Sequence, residues 1–186
     1  MDTSSKNALV KFARETLESY FLGNALPEFP VGEHPALGKP AGAFVSLYVE
    51  GELRGCLGQI EADQPLYVQV RDLVVSAATR DIRFSGVNLT DLPDTEIEIS
   101  VLSPMVALDD VQSIVVGEHG LFVESGEIRG LLLPQVAMRR GWTREQFLEE
   151  TCLKAKLPRE AFLNPDTRIS TFTVELVKEN EAEENE

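Results

Sequence analysis

Leu9, Ala13, Leu17 and Phe21 recur at four-residue steps, a spacing that predicts an amphipathic helix over roughly residues 5–22. Ser4 and Ser5 offer N-caps and Gly23 offers a stop. The pattern then breaks. Pro27, Pro30, Pro35 and Pro40, with glycines between them, predict a long loop. "AFVSLYV", the turn "EG" and "ELRGCLGQI" read as a β-hairpin. Leu66, Val70, Leu73, Val74 and Ala77 form the stripe of a second helix, with Asp63 as its cap and Pro65 in its first turn. In "TEIEISVLS", Ile97, Ile99 and Val101 alternate with Glu96, Glu98 and Ser100, so a strand with one buried face follows.

The second half repeats this order. "GLFVESGEIRGLLLP" is strand, turn, strand, and Thr143 caps a helix carrying Phe147, Leu148 and Cys152. "TRISTFTVELVK" is a late strand. "GELRG" starts at 51 and "GEIRG" at 126, a shift of 75, and the same shift relates Ile97 to Phe172. A duplicated hairpin–helix–strand unit is inferred. Gly51 and Gly126 then serve turns, while Gly55 and Gly130 allow close backbone approach or a bulge. Arg54 matches Arg129, but Cys56 faces Leu131 and Gly58 faces Leu133. The thiol and second glycine are therefore extra to the architecture and suggest a local site.

In a regular strand, Glu52, Arg54 and Cys56 share one face. A guanidinium beside a thiol favours the thiolate and raises reactivity. The competing reading makes Cys56 a small buried hydrophobe and Arg54 a surface partner of Glu52. Residues 27–40 are expected to line a cleft with Arg54 and Cys56.

Charge narrows the functional classes. The net charge of the 186 residues is −14; less the five glutamates of the tail "ENEAEENE", −9 remains. No basic cluster suits a phosphate backbone, so nucleic acid is not expected as a partner. No apolar run is long enough for a membrane helix, and the start has no signal-peptide pattern. Two cysteines make no disulfide framework, so a reducing, cytoplasmic setting is expected. Cys56, Cys152, His34 and His119 lack the spacing of known zinc motifs, so no metal site is assigned. "TRDIRF" places Arg80, Asp81 and Arg83 just after a helix, as an ion-paired cap or as part of a site.

"LRGCLG", Leu53 to Gly58, resembles the LRGCIG signature of the AMMECR domain family. "DIRF", "EIEISVLSP", "HGLFVE", "GLLLPQVA" with Pro134 and Gln135, and "GWTREQFLEETCLKAKL" resemble further family motifs in the same order. Leu57 replaces the usual isoleucine, and Lys156 stands where the family usually has glycine. The resemblance implies an α+β fold: duplicated units around a curved, largely antiparallel sheet with helices outside. It assigns residues 1–178 to one domain: helix and loop 1–43, and repeats at about 44–103 and 119–178; the acidic run at 179–186 is expected from its charge to be a disordered tail. It implies association with Memo-like and radical SAM proteins, but neither a reaction nor a cofactor.

Two functional readings stand. In the first, Cys56 is a nucleophile, redox thiol or soft ligand of a small-molecule enzyme or enzyme subunit. Arg54 then activates the thiol or binds an anion, and His119, Asp81 and Arg83 are acid–base or supporting groups. Gly55, Gly58 and Gln135 complete the binding set. In the second, the glycine-flanked groove is an adaptor surface for a Memo-like or radical SAM partner.

Overall fold

The computed structural model describes residues 1–61 and 63–179. The acidic tail lies outside the described residues except for Glu179, which pairs with Arg14. The fold is α+β and divides into two compact units. One is Met1–Leu102 with the chain end from Glu175, and the other is Ser103–Val174.

In the first unit, α1 (Thr3–Leu22) buries Leu9, Ala13 and Leu17. Its cap is Asp2, not a serine: the carboxylate accepts from Ser5 N at 2.7 Å, because the helix starts a turn earlier than the apolar stripe. β1 (Ala43–Val49) and β2 (Glu52–Gln59) form the hairpin, and Glu50 and Gly51 both take positive φ in its turn. β3 (Thr95–Leu102) pairs with the other side of β1, so the order is β2-β1-β3. α2 (Leu66–Thr79) starts after Pro65 rather than at Asp63, whose carboxylate instead accepts from Gln59 Nε2 at 3.1 Å.

Helices α1 and α2 cover one sheet face. Leu9, Leu17, Val70 and Val74 pack there with Val45, Leu47, Ile97 and Ile99. The loop at 27–40 packs against the helices: Phe29 stacks on Tyr67 at 5.2 Å and meets Phe12 edge-on at 5.0 Å. Gly55 permits the closest approach of strand to helix. A Cβ there would lie 2.0 Å from the carbonyl oxygen of Ala77 in α2.

In the second unit, β5 (His119–Ser125) lies between β6 (Ile128–Leu132) and β7 (Arg168–Lys178), and the short β4 (Val106–Ala107) pairs with β7. α3 (Pro134–Arg140) was hidden in the sequence by the apolar run before it; Pro134 opens it at the first helical position. α4 (Arg144–Lys154) has the expected Thr143 cap, reciprocated by Gln146. A Cβ on Gly130 would lie 2.7 Å from Ala155, just past α4. Lys156 takes φ 64, so the left-handed step survives without a glycine.

Equal sequence spacing does not carry into strand register. Gly55, Leu47 and Ile97 form one row, while Gly130, Val123 and Ile169 form its counterpart. Phe172 lies three residues on, opposite Gly120, and therefore on the other face. Matching Ile97 with Phe172 is thus wrong in the register.

Candidate functional site

β2 ends the strand order of its unit, so its outer backbone groups need cover. The segment after α2 supplies it. Asp81 Oδ2 accepts from Cys56 N at 2.9 Å, and Arg83 Nη2 donates to Cys56 O at 2.7 Å. Arg54 Nε donates to Gly86 O at 3.1 Å, and its Nη2 pairs with Asp91 Oδ2 at 3.2 Å. "DIRF" is therefore more than a helix end. It is the clamp on the edge of the thiol-bearing strand.

A bulge changes the expected faces. Tyr48 is opposite Leu53 and Leu47 is opposite Gly55, which leaves Arg54 as the extra residue. Glu52 pairs with Val49, so Glu52, Arg54 and Cys56 do not share a regular face. Arg129 lies in an unbulged pair opposite Glu124, so it is not the positional equivalent of Arg54. Arg54 directs its guanidinium to the 86–91 segment. Arg83, not Arg54, is the arginine hydrogen-bonded to Cys56, through the backbone carbonyl.

Because Gly55 faces α2, the next residue faces away from it. The half-buried Cys56 lies there beside its cross-strand neighbour Ser46. The Ser46 hydroxyl, buried in an otherwise apolar strand, donates to Cys56 Sγ at 3.2 Å. Sequence reading missed Ser46; its only signal was a lone hydroxyl in "AFVSLYV". The 27–40 loop packs on the helix side, so the expected cleft with Cys56 does not form.

Asp81 is 3% exposed and accepts from both Arg83 Nε and Nη2, at 2.8 and 2.7 Å. The Arg83 hydrogen bonds hold its pKa at about 2, against the opposing cost of burial, with the Cys56 and Arg83 amides helping. An acid this strong is ionised at neutral pH and cannot serve as a proton donor there. It positions Arg83. The Arg83 pKa is raised chiefly by the Asp81 hydrogen bonds and least by the charge of Cys56. With 52% of its side chain exposed, Arg83 also lies over the Phe84 ring, 5.3 Å from its centroid. Its Nη1 has no hydrogen-bond partner among the described residues.

A family model, AMMECR1, matches residues 10–177. The chain belongs to the AMMECR1 family. A Methanothermobacter thermautotrophicus relative is 40% identical over 178 residues, covering 92% of this chain and 93% of its own. The Pyrococcus furiosus protein PF1979 is 38% identical, covering 92% and 86%. The crystal structure of the uncharacterised Pyrococcus horikoshii protein PH0010 superposes with a TM-score of 0.89 at 35% identity, covering 95% of this chain and 92% of that one.

Within this AMMECR1 chain the remaining expected residues have other surroundings. His119 lies in the second unit, where its Nδ1 accepts from Val115 N at 3.2 Å and ties a turn. Gln135 is the second residue of α3. Gly58 is not extra to the architecture, since a Cβ there would lie 2.1 Å from the Phe44 ring. Cys152 is fully buried, and burial pushes its thiol pKa up. Among the described residues no three or more His, Cys, Asp and Glu side chains gather as a metal site.

Proposed function

We propose that the edge of β2 is a cysteine-dependent small-molecule site. Cys56 is its nucleophile, and Arg83 receives an anionic group of the substrate. The observation that carries this reading is the fixed guanidinium. Asp81 and the Cys56 carbonyl occupy Nε and Nη2, and leave Nη1 with two donors on a guanidinium anchored to the backbone of the half-buried Cys56. Ser46 donates a hydrogen bond to the sulfur at 3.2 Å and fixes its position in the hairpin.

A second reading has one observation in its favour. Ile82, between the two clamp residues, is 99% exposed. An apolar side chain held out on a fixed loop suits an adaptor surface for a protein partner, for which a Memo-like or radical SAM protein is the proposed class.

Labelling of the folded protein with iodoacetamide at neutral pH separates the two. The thiol-site reading expects Cys56 to react faster than free cysteine, while Cys152 stays unlabelled. A Cys56 rate at or below that of free cysteine removes the nucleophile and leaves the adaptor.

A further inference from the structure

The second unit contains a groove of about 820 Å³ that the Cys56 site does not use. Ile114, Val116, Leu148 and Phe162 give it an apolar wall. Ile114 and Leu148 are core residues, so that part of the wall is preformed. Val115, 49% exposed, stands at the rim. Arg144 supplies the polar end. Its Nε donates to Ile114 O at 3.0 Å and its Nη1 to Gln112 Oε1 at 2.6 Å. These two bonds fix the half-buried side chain, and Nη2 makes no hydrogen bond among the described residues.

We infer that this groove binds a small amphiphilic carboxylate, with its apolar body on Ile114, Val116, Leu148 and Phe162 and its head on Arg144. The volume falls in the range of small-molecule sites, which pair a mostly apolar lining with a few fixed polar groups. A guanidinium held by two of its nitrogens spends little conformational entropy in receiving a carboxylate with the third. Glu145 also lines the groove and repels additional negative charge, so a singly charged head is favoured over a phosphate.

Decanoate is the probe, followed by two-dimensional amide NMR of the full chain, with decylamine and 1-decanol as controls. Saturable shifts at residues 111–116 and 143–148 are expected with decanoate, and binding about tenfold weaker or worse with either control. Arg144→Gln is expected to weaken decanoate by about tenfold, and Arg144→Lys by less. Arg144 also ties the 112–114 segment, so Val115→Asp provides a second variant that leaves those bonds in place. It puts a negative charge at the rim and is expected to weaken decanoate while leaving the spectrum folded. The inference is overturned if decanoate gives no saturable shifts in this segment, or if decylamine or decanol binds equally well. It also fails if Val115→Asp, or a folded Arg144→Gln, binds as the parent does.

Discussion

Gly55→Ala is expected to lower the unfolding free energy by about 3 kcal/mol, near the upper end of the usual overpacking cost. The added methyl would meet the Ala77 carbonyl oxygen at 2.0 Å; a Cβ is fixed by its own backbone and the atoms it meets are backbone, so no side chain can swing aside. Strand β2 or helix α2 must move. Moving α2 disturbs the layer in which Val70 and Val74 pack against β1. The cost is steric, since Gly55 is not among the positive-φ residues. Gly51→Ala provides the contrast. Its site is open but has φ 78, so only the left-handed penalty of about 1 kcal/mol applies. Urea unfolding of the two variants checks this, and equal losses would contradict the close strand–helix approach.

Asp81→Asn is expected to cost about 3 kcal/mol at neutral pH, because it removes the acceptor of a nearly buried ion pair and turns an amide group toward Arg83 and the Cys56 N–H. Part of that loss should carry a pH signature. The folded pKa is about 2, below the ordinary 3.8, so the ionised carboxylate stabilises the fold above pH 3.8. That contribution, of order 2 kcal/mol, is lost as pH falls through 3.8 toward 2. The stability difference between parent and Asp81→Asn should therefore shrink across this window. A constant difference would mean that the carboxylate does not hold its charge through the Arg83 and amide hydrogen bonds.

Periodicity made α1, α2, α4 and the two hairpins legible, since apolar spacing reports burial directly, whereas α3 was not legible. Gly55 and Gly130 were legible as points of close approach because each follows an arginine inside a strand at the same place in the two matching hairpins. The bulge was not. One extra residue at Arg54 leaves the local pattern of "GELRG" almost the same as "GEIRG" while changing which residues oppose one another. That hidden residue is why Arg54 looked like the cation of the thiol. Arg83, which bonds the Cys56 carbonyl, was visible as part of "DIRF", but its approach to that strand depends on how a loop folds over a strand edge. No local spacing encodes such an approach. Ser46 was masked for a related reason: hairpin register, not sequence distance, brings it to the sulfur.

Arg83, not Arg54, is the proposed source of positive charge at Cys56. This proposal is tested most directly by comparing the alkylation of Cys56 by iodoacetate and iodoacetamide, which differ mainly in charge. The ratio of the two rate constants cancels changes in thiol reactivity that affect both reagents alike. The predicted ratio is higher than for free cysteine and falls about fivefold in Arg83→Gln, the effect of one unit charge at about 4 Å in water. In Arg54→Gln it stays at the parent value. A ratio unchanged by Arg83→Gln, or lowered as far by Arg54→Gln, would contradict the account.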